Sequence, residues 1–309
     1  MDYVLLLVGF VLLVKGADFF VEGSSSVAKL LKVPSVVIGL TIVAMGTSAP
    51  EAAVSIAAGF QGNNAIAISN VIGSNIFNLM VVVGFCAALK KFETESVIVK
   101  RDFPVNLAAT VLVLVFMQDF CISLWEGVML LLCLAAYLTV VVKDALKNRA
   151  LVTAEQEEIK VLSPLRSLLF IVFGLAAVIF GGDLVVNKAS AIALSWGLSQ
   201  TFIGLTIVAM GTSLPELVTS LVAAKKGDSG LALGNVVGSN IFNLLFILGL
   251  SSTLHPIAIT ALSMFDIVIL LGFTTLVFVR CVWKKNVNRL WGILFLCCYA
   301  AYMVYIVLR

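Results

Sequence analysis

One thirteen-residue segment occurs twice in this chain, 165 positions apart: Gly39–Glu51 reads GLTIVAMGTSAPE and Gly204–Glu216 reads GLTIVAMGTSLPE. A second block, NVIGSNIFNL from Asn70, returns as NVVGSNIFNL from Asn235, and the correspondence runs without a gap over residues 16–78. Each copy sets Pro-Glu, and then Ser-Asn with a further Asn, inside long apolar stretches. Polar residues at membrane depth are expensive to keep there, so their repetition marks a functional site. Weak symmetry overall with intense symmetry at two short polar motifs is the pattern expected of a membrane carrier built from two repeats.

The surrounding sequence fixes the solvent. Of its 309 residues 61% are hydrophobic and 12% charged, and the mean hydropathy is +1.13; soluble domains carry about 25% charged residues. Backbone in lipid must satisfy its own hydrogen bonds, which leaves helices or closed barrels. The apolar stretches run for about twenty residues without strict alternation, so they are helices. The expectation is an all-α polytopic protein. Its six cysteines lie in or beside apolar segments with no CxxC, reading as small buried hydrophobes. A single histidine, His255, gives little scope for histidine catalysis or transition-metal binding. Asp2 and the lack of a basic leader mark the first apolar run as a spanning helix and not a cleaved signal.

Apolar runs and turn-like breaks predict ten transmembrane helices, near 3–30, 35–60, 65–89, 102–118, 122–142, 164–193, 200–224, 230–253, 259–280 and 288–308. The one sizeable polar linker, 143–163, divides residues 1–142 from 164–309, two five-helix repeats. A repeat with an odd number of spans enters the membrane in opposite directions, so the halves are inverted. With both termini outside, seventeen Lys and Arg fall on the cytoplasmic side, while Lys188 and Arg309 fall outside and Lys15 lies within the first helix. That agrees with the positive-inside bias and makes the net charge of +3 a topology signal, unrelated to nucleic acid. The implied location is the cell membrane, with the lipid bilayer as the chief partner.

Pro50 and Pro215 lie inside the second and seventh helices, where proline removes a donor and clashes with the preceding turn. Each helix should break just before its proline and release carbonyls around Gly46-Thr47-Ser48 and Gly211-Thr212-Ser213 for ion coordination. The competing reading is a capping box, Ser48 capping the helix start with Glu51 reaching back. Ser74 and Asn78 are four apart and share a helix face, as do Ser239 and Asn243. Asn75 and Asn240 are assigned to helix packing, and Gly73 and Gly238 to close approach of a neighbouring helix. Together the halves supply two carboxylates, two amides and several hydroxyls, with no sulfur or imidazole. Such hard ligands suit sodium, calcium or magnesium, and two carboxylates in flexible surroundings lean to calcium.

At these motifs, paired GTSxPE and GSNxxN on ten helices, the chain resembles the sodium/calcium exchangers of the cation/calcium exchanger superfamily, in a compact prokaryotic form. The resemblance implies a sodium/calcium antiporter, not an enzyme, working as a monomer with no cofactor beyond its transported ions. It implies Glu51 and Glu216 as shared calcium and sodium ligands, with Thr47, Ser48, Thr212 and Ser213 giving hydroxyl or carbonyl oxygens. Ser74, Ser239, Asn78 and Asn243 would complete the sodium sites, and the carbonyls of Ala44 and Ala209 match further ligand positions. Potassium-dependent members carry Asp where this chain has Asn243, which implies potassium independence. Proton/calcium exchangers of the superfamily typically carry a GNxxE-type motif instead; they are the alternative, with a cation channel behind them. Asp18 and Asp183 occupy matching positions, and the expectation is structural pairing with Lys15 and Lys188.

Overall fold

Both intramembrane prolines end a helix where expected. In a computed structural model, which describes residues 1–60, 64–147, 161–197 and 209–308, helix α1 (Asp2–Leu31) is followed by α2 (Ser35–Thr47) and α3 (Ala49–Phe60), which meet at Ser48 with a 47° bend. After α4 (64–89), α5 (98–116), α6 (Leu124–Lys147) and α7 (Pro164–Ser195), a second break separates α8 (Ala209–Gly211) from α9 (Leu214–Lys225). The chain ends in α10 (Ser229–Leu254), α11 (Ala261–Lys284) and α12 (Arg289–Leu308). Ser48 (φ −81°, ψ 8°) and Ser213 (φ −91°, ψ 7°) leave the helical region just before Ala49-Pro50 and Leu214-Pro215.

Among the described residues seven helices are long and apolar enough to cross a membrane, and the bent pair α2–α3 makes an eighth. Their outer faces carry exposed Val, Leu and Phe, and three tryptophans, Trp125, Trp196 and Trp283, stand exposed at helix ends. That is where an indole meets the headgroup layer. Helix α6 continues to Lys147, past its expected end at 142, and Arg101 on α5 reaches Asp144 at 3.0 Å on this extension. Most of the expected 143–163 linker lies outside the described residues.

The halves interlock. Helices α1 and α7 run antiparallel along a seam of glycines: Gly9 packs on Gly181, Gly16 on Gly174 and Gly23 on Ser167. A Cβ on Gly174 would lie 2.6 Å from the Phe20 nitrogen, so only glycine admits this approach. The pairs Gly84–Gly292 (α4 on α12) and Gly127–Gly249 (α6 on α10) are the same contact at an offset of 165. Strand β1 (Phe92–Glu93) pairs with β4 (Asn286–Val287), and β2 (Cys121–Ile122) with β3 (Ile257–Ala258), each across the halves. Gly238 packs against Leu40 and Ala44 as expected, whereas nothing described lies within 4 Å of a Cβ at Gly73. Of the cysteines, Cys86 and Cys281 are buried, but Cys133 and Cys297 face outward, correcting the expectation that all six fill the interior.

Candidate cation site

Helices α4 and α10 are the most enclosed spans, and both carry a single π turn, Asn78–Val82 and Asn243–Ile247. Each π turn begins at the second asparagine of a motif. The wider turn re-aims side chains, which is why such turns gather at functional sites. These two helices face the two proline breaks, and the polar side chains of all four segments meet in the interior. Glu51, Glu216, Ser48, Ser213, Asn78 and Asn243 are each 0% exposed.

The serines at the breaks do not cap their own helices. Ser48 Oγ donates to Glu216 Oε1 at 2.8 Å, and Ser213 Oγ donates to Glu51 Oε1 at 2.9 Å. The capping-box alternative is thereby excluded: each serine crosses to the opposite carboxylate. The carbonyls of Ser48 and Ser213 are taken by the N–H groups of Ala52 and Leu217, so they are not released as expected. The Ala44 carbonyl accepts from the Ser48 N–H at 3.0 Å and, more weakly, from Ser239 Oγ at 3.4 Å. The Thr47 hydroxyl is turned to the Val43 carbonyl (3.0 Å) and Asn235 Oδ1 (3.1 Å). Ser74 lies beside Glu51, and Ser239 beside Glu216. Ala209 opens α8, and its side chain is outside the described residues.

Six oxygens of the expected ligand set are buried with no hydrogen-bond partner among the described residues: Glu51 Oε2, Glu216 Oε2, Asn78 Oδ1, Asn243 Oδ1, Ser74 Oγ and Thr212 Oγ1. Buried polar atoms are almost always satisfied, so six in one motif set call for a ligand. Their chemistry fits a hard cation, since carboxylate, amide and hydroxyl oxygens are what calcium and sodium accept. A cavity of about 160 Å³ reaches both breaks, lined by Pro50, Pro215, Thr212, Gly182, Asp183 and Asn187.

Two asparagines with no expected role hold the carboxylate backbones. Asn70 donates to the Glu51 carbonyl (3.2 Å) and Ser55 Oγ (3.0 Å); Asn235 donates to the Glu216 carbonyl (3.4 Å) and Ser220 Oγ (2.9 Å). The signal was present, since both open the second repeated block. The expected partners of the matching aspartates are corrected. Asp18 pairs with Lys226 at 2.6 Å, and Lys188 pairs with Asp2 at 2.9 Å. Lys226 is carried to α1 by the end of α9, a proximity that sequence distance hides.

The same arrangement of helices is found in solved exchangers. The structure of the sodium-calcium exchanger NCX_Mj soaked with zero Na+ and Ca2+ superposes with a TM-score of 0.87 at 33% identity, over 99% of this chain and 98% of that one. The sodium/calcium exchanger MaX1 of Methanosarcina acetivorans is 34% identical over 98% of this chain and 97% of that protein. The putative antiporter CaxA of Alkalimonas amylolytica is 42% identical over 84% of this chain and 82% of that protein. The family profile described as sodium/calcium exchanger protein matches residues 1–143 and 166–308. The chain belongs to this family. As a sodium/calcium exchanger family member it is a multi-pass membrane transporter.

Proposed function

We propose that this protein exchanges sodium for calcium across the cell membrane by alternating access, as ten transmembrane helices in two inverted five-helix repeats. The two repeats are residues 1–142 and 164–309, both termini lie outside, and one copy of the chain suffices for transport. The antiparallel course of α1 against its repeat mate α7 supports the inversion. Glu51 and Glu216 bind calcium and sodium in turn. Ser48, Ser213, Thr47, Thr212, Ser74, Ser239, Asn78 and Asn243 contribute oxygens, with the Ala44 and Ala209 carbonyls.

The observation that carries this reading is the pair of crossed serine–glutamate bonds. Each fixes one oxygen of a buried carboxylate and leaves the other free for a cation. Two negative charges neutralise one calcium ion, whereas a larger number of sodium ions leaves the site positive. Exchange is then electrogenic, and a potential of 100 mV contributes about 2.3 kcal/mol per net charge moved. Calcium-45 uptake into proteoliposomes under imposed sodium, potassium or proton gradients tests the proposal. Uptake should follow only the outward sodium gradient; uptake driven by protons would make this a calcium/proton antiporter, and uptake without a counter-ion would make it a channel.

A further inference from the structure

The two remaining motif asparagines, Asn75 and Asn240, carry no oxygen into the site, yet their hydrogen bonds decide which way its amides point. Asn240 Nδ2 donates to the Asn75 backbone carbonyl at 3.2 Å, and Asn75 Nδ2 donates to the Asn240 carbonyl at 3.2 Å. A backbone carbonyl only accepts, so each amide nitrogen must face it. That fixes the side-chain oxygens in the opposite direction. Asn240 Oδ1 then accepts from Asn78 Nδ2 at 3.1 Å, and Asn75 Oδ1 accepts from Asn243 Nδ2 at 3.0 Å. With their nitrogens held, Asn78 and Asn243 have one orientation left, and their Oδ1 atoms are the buried, unpartnered oxygens of the cation site. All four residues are 0% exposed, so bulk water does not replace a lost partner.

We propose that Asn75 and Asn240 are positioning residues, a crossed pair anchored on two backbone carbonyls that holds the amides of Asn78 and Asn243 oxygen-first toward the cation. An asparagine amide is nearly symmetric in shape, so without this anchor it turns over at little steric cost. Turned over, Asn78 would present its NH2 to the site and oppose a cation. The crossing also joins the halves, since each anchor sits on the helix opposite the amide it orients.

This inference rests on the proposed cation site, and its test separates the two. A carboxylate at position 78 has no wrong way round, because both its oxygens accept. It would also face Asn240 Oδ1, acceptor against acceptor. Removing Asn240 should therefore harm a protein with Asn78 and spare, or help, one with Asp there. The variants are Asn240→Ala, Asn78→Asp and the double variant, read by sodium-driven calcium-45 uptake and by thermal stabilisation of purified protein with calcium, sodium or protons.

Asn240→Ala should raise the calcium KM at least about tenfold, with a far smaller change in maximal rate. In the Asn78→Asp background the same substitution should leave KM unchanged or lower it. Equal losses in both backgrounds would mean that Asn240 only packs, and would overturn the proposal while leaving the cation site intact. Wild-type protein that no cation stabilises would overturn both. Should Asn240→Ala not fold, Asn240→Leu, close in volume, and the mirror set Asn75→Leu with Asn243→Asp read the same coupling.

Discussion

Ser48 reaches across the interface of the two halves to hold Glu216 at 2.8 Å, and Ser213 returns the same bond to Glu51 at 2.9 Å. The carboxylates are thus each aimed by the other half, and neither half can form the site alone. Hydrogen bonds to charged groups contribute roughly 1.5–3 kcal/mol. Ser48→Ala and Ser213→Ala should therefore each raise the calcium KM about tenfold or more, by similar factors. A large loss in one variant and none in the other, in side-by-side flux measurements, would show that the crossed bonds do not share the work.

Glu51→Gln or Glu216→Gln should abolish calcium transport and leave the protein inserted and monodisperse. The amide keeps the shape and one acceptor but removes half of the charge set against a divalent ion. Removing one of two buried like charges also relieves repulsion, so the ion-free variants should melt no lower than the parent. Calcium exchange retained by both single variants would remove these residues from the site.

Pro50→Ala and Pro215→Ala should slow transport while raising thermal stability. An N–H at either position restores a donor to the preceding turn and favours closing the break at Ser48 or Ser213. Straightening the 47° bend would draw Ser48 away from Glu216. Flux and ion affinity at parental values in both variants would show that the breaks do not build the site.

The breaks and the polar residues gathered around them were legible because proline and glutamate inside apolar runs leave few interpretations, and because each motif appears twice. Direction and partner were not. From its spacing Ser48 fits a cap for its own helix, and only the packing of α2 against α9 and α10 turns it to Glu216. Asn75 and Asn240 read as packing residues, since a sequence shows no difference between an amide that fills space and one that orients another. Asp18 has a lysine three positions away on its own helix, yet pairs with Lys226, 208 positions on. Short-range rules recover helices and their interruptions; contacts between halves depend on the fold.

Glu95, in the connection between α4 and α5, offers a pH test outside the membrane spans. Burial, then the negative charges of Asp228 and Asp102, push its carboxyl up to about 6 from the usual 4.5. A raised folded value means that the protonated form is favoured in the folded protein. The associated stability is fully present below about pH 4.5 and is lost as pH rises through about 6. The ionised side chain then costs roughly 2 kcal/mol. Glu95→Gln should melt higher than the parent at pH 8, with the difference vanishing below about pH 4.5. Melting curves in detergent that run parallel across this range would refute the assignment.

Transport should not require potassium. Of the proposed ligands only Glu51 and Glu216 carry charge, since both π-turn residues, Asn78 and Asn243, are neutral amides. The family resemblance implies Asp at the position of Asn243 in potassium-dependent members, where an extra negative charge can hold an additional monovalent ion. Here the position is also committed geometrically: Asn243 Nδ2 donates to Asn75 Oδ1 at 3.0 Å, a bond that an ionised Asp could not make. Sodium-driven calcium uptake with potassium wholly replaced by choline should match uptake in potassium at the same voltage. Activity that disappears in choline and returns with potassium would mean that residue 243 does not set the ion requirement. If Asn243→Asp, paired with Asn75→Ala to remove the opposing acceptor, then acquires potassium dependence, the charge at this position is what separates the two kinds of exchanger.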